Sequence, residues 1–316
     1  MLLVARRESD RGFAPAATTP ITLAPLAEKD VREFVMSATE AAPLRPHELD
    51  QVIARTGGNP LFAMEIIKAV REIGSLDAVP LSLEAAMAAQ VDALDRHTRR
   101  VLRYASVLGR SFSRNVLAEV MASEGHGLTD AMLQMLESFL EPDGPDRLRF
   151  RSGIVRDTVY ESVSFRQRAR LHLSAGETME RLVADPELAA DSLALHFYRA
   201  GEQSRAWRYS SLAAQRARAA YANTEAATYY RVALEAARSL TEIPAVELIT
   251  AWRGLGEARE RAGEFDSALE AFSAALRLAT DDPLTIADLL LEKAVVKVRI
   301  GKPKAALSDL TRGRKA

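Results

Sequence analysis

Small and large residues recur between Trp252 and Ala275 in a pattern that requires two helices packed at close range. Trp252, Leu255 and Gly256 fall on one face of a first helix, and Gly263 breaks it. Ala268, Phe272 and Ala275 fall on one face of a second. Gly256 and Ala268 leave room for the helices to approach, and Phe272 fills the space between successive pairs. The same offsets recur at Gly301, Ala306 and Leu310, preceded by Leu290 and Ala294. Upstream, Ala226, Tyr230 and Ala233 match the second-helix positions, and Gly201, Ala206 and Ala213 match again. A helix pair that cannot bury its own apolar face must stack on its neighbours. Residues 186–316 are therefore expected to form an α-solenoid.

The spacing is that of tetratricopeptide repeats, with Arg259 in place of the usual aromatic residue. The periods are irregular, so the repeats are degenerate. No polar capping helix closes the array, which predicts a cut C-terminus. Tyr198, Trp207, Tyr209, Tyr221, Tyr229 and Tyr230 crowd its start. Packing between helices accounts for most of them, and any left on a concave face would anchor a peptide.

Composition points the same way. Hydrophobic residues make up 48% of the 316 residues and aromatics only 6%, a balance that favours helices over sheets. The expected class is mainly α. Lys and Arg total 42 against 43 Asp and Glu, so no bulk charge draws the chain to nucleic acid. The absence of cysteine excludes disulfides and thiol catalysis and fits a cytoplasmic protein. No apolar run reaches membrane-spanning length. No two of the five histidines stand three to five residues apart, so no zinc-type pair exists.

The N-terminal third carries the run Thr56-Gly57-Gly58-Asn59-Pro60-Leu61-Phe62. Asn59 suits an N-cap, and Pro60 suits the first helical position. Phe62, Ile66, Val70 and Ile73 then repeat on one face. Such a start is either a well-capped helix and no more, or an anion site at which Gly57 and Gly58 let a ligand approach the backbone. Helices are expected over residues 28–37, 47–55 and 60–73, with Gly74 as a C-cap.

Residues 76–185 fit a winged helix. Ser82, Ser113 and Thr129 can cap helices, and Gly109 stops one that carries Val101, Leu102, Ala105 and Leu108. Pro142-Asp143-Gly144-Pro145 signals a turn. Leu148 and Phe150 alternate with Arg147, Arg149 and Arg151, as in a half-buried hairpin strand. Seven arginines lie between Arg147 and Arg170. They could touch DNA phosphates or form a basic face used within the protein. Leu2 to Ala5 reads as a lone buried strand, which cannot satisfy its own edges, so the start also looks cut.

Gly58-Asn59-Pro60-Leu61-Phe62, with Leu23-Ala24-Pro25-Leu26 upstream and Val79-Pro80 downstream, resembles the signal-transducing ATPases with numerous domains. The branch it is most similar to is the bacterial one fused to cyclases, kinases or LuxR-type DNA-binding domains. Phe150 to Tyr160 and Arg166 to His172 match recurring family stretches, although Ser152 stands where the family usually has histidine. The resemblance implies that residues 1–20 are the end of an ATPase core and 21–75 a helical lid. It implies that Gly58, Asn59 and Pro60 touch the nucleotide and that Arg6 lies near its γ-phosphate, the alternative for Arg6 being an exposed basic residue. It further implies ATP or ADP with Mg as cofactor, and a protein partner or small-molecule inducer on the repeats. An ATPase core in the intact protein and homo-oligomers are implied as well.

The chain has no Gly-x-x-x-x-Gly-Lys-[Ser/Thr] loop. Gly301-Lys302 is the only Gly-Lys, and Val296 stands where the first glycine would be. Without that cradle of backbone N–H groups the chain itself is expected not to hydrolyse ATP. The expected function is the regulatory and sensor portion of such an ATPase. The alternatives are a free-standing repeat scaffold that binds no nucleotide and, more weakly, a winged-helix DNA-binding regulator.

Overall fold

The computed structural model describes residues 24–39, 44–73, 83–280 and 282–315. The expected strand at Leu2 to Ala5, Arg6, and the caps at Gly74 and Ser82 lie outside the described residues. The chain divides after Ser164 into two units.

The first unit opens with α1 (Glu28–Ala38), α2 (Pro46–Thr56) and α3 (Pro60–Ile73). Val31 and Val35 of α1, Val52 and Ile53 of α2, and Ala63, Ile66 and Ile67 of α3 form one buried cluster. These positions follow the helical period, so hydrophobic burial holds the three helices together. Thr56 is buried at the end of α2 and returns its hydroxyl to the Ile53 carbonyl at 2.9 Å.

The same unit continues with α4 (Leu83–Ala93), α5 (Arg96–Leu108), β1 (Ser111–Ser113), α6 (Arg114–Ser123) and α7 (Asp130–Met135). It ends with β2 (Leu140–Pro142), β3 (Arg147–Phe150) and α8 (Gly153–Glu161). Asp95 caps α5 through the Thr98 and His97 amides, Ser113 caps α6 through the Val116 amide, and Thr129 caps α7 through the Met132 amide. The sheet has three strands in the order β1-β3-β2, all antiparallel, where the sequence led us to expect a two-stranded hairpin. Ser111 pairs with Arg149 and Leu140 with Phe150. Phe112 of the outer strand β1 and Phe150 of the central strand β3 lie 6.0 Å apart between ring centres, so these two strands share one buried seam.

The second unit is all helical: α9 (Phe165–Leu182), α10 (Ala190–Ala200), α11 (Gln203–Ala219), α12 (Asn223–Ala237), α13 (Ala245–Arg261), α14 (Phe265–Leu278), α15 (Pro283–Arg299) and α16 (Pro303–Lys315). Each helix packs on the next in sequence, as in a solenoid. Helix α9 falls within the 76–185 segment of the sequence, and in the structure it groups with the helices that follow it. The mainly α class expected from composition and repeat spacing is the one observed.

Three helix junctions use one turn. A glycine with positive φ sits at Gly201, Gly263 and Gly301, and the next helix starts two residues later. At the fourth such junction, between α11 and α12, Tyr221 takes φ 59, and the residue is 79% exposed. The left-handed region costs a residue with a Cβ roughly 1–2 kcal/mol. Tyr221→Gly should therefore stabilise the unit by about 1 kcal/mol, after the entropy that glycine adds to the unfolded chain. Urea unfolding followed by tryptophan fluorescence measures this, and a lower midpoint in the variant would contradict it.

Candidate functional site

The motif in the first unit has local causes in its own backbone. Gly57 ends α2 at φ 54, and Gly58 follows at φ 81. The Gly58 carbonyl accepts a hydrogen bond from the Leu26 amide at 2.8 Å. A Cβ on Gly58 would stand 2.5 Å from the Leu26 carbonyl oxygen and 2.7 Å from the Pro25 Cβ. Glycine is thus required twice, by the backbone angle and by the close approach. The Asn59 Oδ1 accepts from the Phe62 amide at 3.3 Å, which satisfies one open donor of α3, and Pro60 is the first helical residue. Asn59 and Pro60 remain exposed. Gly58, Asn59 and Pro60 therefore sit at the mouth of α3, pinned to Pro25 and Leu26.

The arginine-rich stretch is mostly engaged within the first unit. Arg149 donates to Glu141 at 2.7 Å, and Arg151 pairs with the same carboxylate at 3.0 Å. Arg147 donates to the Ser111 hydroxyl. Arg156 donates to the Ser106 carbonyl at 2.9 Å, pairs with Asp157 and lies over the Tyr160 ring. A winged helix lays its second helix-turn-helix element in the major groove, and by order along the chain that element is α7. Helix α7, Asp-Ala-Met-Leu-Gln-Met, carries no basic residue, and its Asp130 pairs with Arg114 of α6. Phosphate attraction needs cations there, and these elements give the DNA-binding reading no support.

In the second unit the repeat residues come together as a packed core. Leu255, Ala268 and Phe272 are buried, and Trp252 is half-buried between two apolar clusters. A Cβ on Gly256 would meet the Phe272 ring at 2.6 Å, and one on Gly254 would meet the Tyr230 ring at 2.3 Å. Gly176 of α9 seats the Phe197 ring in the same way. An aromatic ring lying on a glycine is thus the recurring joint of the array. Ion pairs add ties along it: Arg218 to Glu257 at 2.9 Å, Arg253 to Glu292 at 2.7 Å and Arg299 to Glu260 at 3.2 Å. Partly exposed pairs contribute about 0–1 kcal/mol each, so the rings carry more of the stability.

Two features of this unit are not carried by any local pattern. His172 of α9 and His196 of α10 are both buried and face each other, with Nδ1 to Nδ1 at 3.0 Å. One ring must donate and the other accept across that contact. The 24-residue separation hides this pairing from any local sequence pattern. The other feature is a groove of 570 Å³ between α11 and α13, floored by Tyr230 of α12. Trp207, Arg208 and Ser211 line one wall, and Glu247 and Thr250 the other. Of the crowded aromatics, Tyr209 and Tyr230 are buried, while Trp207 keeps a face on the groove.

Tyr209 gives the unit a pH dependence. Burial, together with its hydrogen bond to Glu180, pushes its phenol from 10.0 up to about 12. The folded chain keeps a proton that the unfolded chain releases in that window. The stability this contributes is intact below pH 10 and is lost as the pH rises toward about 12. Tyr209→Phe should flatten the loss of stability between those limits in denaturant titrations read by tryptophan fluorescence. The same alkaline slope in the variant would contradict the assignment.

Among the described residues no cluster of His, Asp and Glu could hold a metal ion, and no helix is long and apolar enough to cross a membrane. No family model matches the chain, and no curated protein matches it. Among solved structures, the chain is similar to a signal transduction ATPase with numerous domains from Pyrococcus horikoshii that carries a tetratricopeptide repeat sensor. The identity is 11% and the TM-score 0.31, over 92% of this chain and 53% of that one. The chain thus spans about half the length of that protein.

Proposed function

We propose that the chain is the regulatory and sensor part of a signal-transducing ATPase. The helices α1 to α3 bear on the nucleotide through Asn59 and Pro60, and the repeat unit takes up an inducer or partner. The observation that carries this is the contact between Leu26 and Gly58. It joins the two separate stretches on which the family resemblance rests, Pro25-Leu26 and Gly58-Asn59-Pro60, at one exposed helix start. The chain itself is proposed to lack hydrolytic activity, because it has no phosphate-binding loop. ATP or ADP with Mg would be held by an ATPase core acting with this lid, and Arg6 is the candidate for the γ-phosphate. A ligand on the repeats can shift such a switch only if it binds one nucleotide state better than the other.

The free-standing scaffold is the competing reading, and the groove in the repeat unit fits it equally well. Hydrogen exchange in the native polypeptide separates the two. The switch predicts that saturating ADP changes amide protection in residues 165–316. Identical protection with and without ADP would favour the scaffold.

A further inference from the structure

We propose that the groove between α11 and α13 binds a short peptide with both ends free, its carboxylate held by Arg208 and its ammonium by Glu247. The inference rests on the repeat unit being the sensing part, and it adds the chemical class of what is sensed.

Arg208 and Glu247 line the same groove from opposite walls. Neither forms an ion pair with the other or with any other described residue. Neighbouring charges along the same helices are already engaged. Arg205 pairs with Glu177 at 3.2 Å, and Arg218 pairs with Glu257 at 2.9 Å. Arg208 is held over the Tyr209 ring at 5.2 Å, which steadies the guanidinium without neutralising it. Arg205 also lines the groove, but its charge is taken up by Glu177 and Glu180, which leaves Arg208 and Glu247 as the charges that face the shared space without an ion-pair partner. A ligand carrying only negative charge would be repelled by Glu247, and one carrying only positive charge by Arg208. A dipolar ligand satisfies both.

Size and lining favour a peptide over a single amino acid. The groove measures 570 Å³, inside the roughly 300–1,000 Å³ range of sites that enclose drug-sized ligands. Trp207 and Tyr230 give apolar surface for side chains.

Calorimetric titration of the full chain with the tripeptide Leu-Ala-Leu, its N-acetyl form, its C-amide and free leucine tests this. The free tripeptide should bind more tightly than leucine. Acetylation and amidation should each weaken binding to the unaltered chain about tenfold, the loss expected for one hydrogen-bonded charge. Acetylation should make no difference to Glu247→Gln, and amidation none to Arg208→Gln. Both side chains are exposed, so the variants should unfold at the midpoint of the parent. Absence of binding at millimolar tripeptide, or leucine binding as well as the tripeptide, overturns the proposal. Equal binding of the blocked and free peptides also overturns the roles of Arg208 and Glu247, while leaving the groove as a ligand site and the sensor reading standing. That reading falls only if ADP leaves the repeat helices unchanged.

Discussion

Phe272→Ala is expected to destabilise the repeat unit by about 3–5 kcal/mol, the usual cost of removing a fully buried ring. Phe272 has no exposed surface and joins Ala268, Ala275, Leu289 and Val296 in one cluster, so the cavity would open at the junction of two repeats. The neighbours cannot collapse into it easily. Gly256 has no side chain to move inward, and Ala268 and Ala275 are already small. The converse change, Gly256→Ala, places a Cβ 2.6 Å from the ring and should cost roughly 1–2 kcal/mol, overpacking outweighing the better helix propensity of alanine. The chain has two tryptophans, Trp207 and Trp252, and both lie in the second unit. Tryptophan fluorescence during urea unfolding therefore reports this unit alone. An unshifted midpoint for Phe272→Ala would mean that Phe272 is not the joint described.

Gly58→Ala is expected to cost the first unit roughly 3 kcal/mol. The left-handed φ contributes about 1–2 kcal/mol, and the rest comes from the collision with the Leu26 backbone and the weakened Leu26 to Gly58 hydrogen bond. The obstacle is main chain, so no rotamer change relieves it. Hydrogen exchange should show faster opening across residues 24–73, while the tryptophan transition of the second unit stays where it was. Unaltered protection at Leu26 would contradict this account of the motif.

Much of the fold was legible because its causes are local. Helix α1 runs Glu28–Ala38 and α3 runs Pro60–Ile73, where periodicity placed them. Asn59, Ser113 and Thr129 cap through their own side chains, a chemistry that needs only the next three residues. Strand β1 was not legible. It is three residues long, lies between the stop at Gly109 and the cap at Ser113, and owes its conformation to pairing with Arg147 to Arg149 far along the chain. The grouping of α9 with α10 was hidden for a similar reason. Its buried face is formed by Leu171, His172, Ala175, Gly176 and Thr178, a mixture without a strong apolar stripe. What covers that face is the Phe197 ring and the paired His196. The groove escaped notice because three helices build it. Trp207 and Tyr230 were visible as aromatics, but Arg208 and Glu247 carry no sequence signal.

The central claim is that the exposed start of α3 bears on a bound nucleotide. The most direct test is ADP retention by the native polypeptide carrying Asn59→Ala together with Pro60→Ala, measured as the release rate of a fluorescent ADP. Faster release than from the unaltered protein is expected, with the tryptophan unfolding transition of the repeat unit unchanged. Release at the unaltered rate would contradict it and leave Asn59 and Pro60 as a helix cap alone.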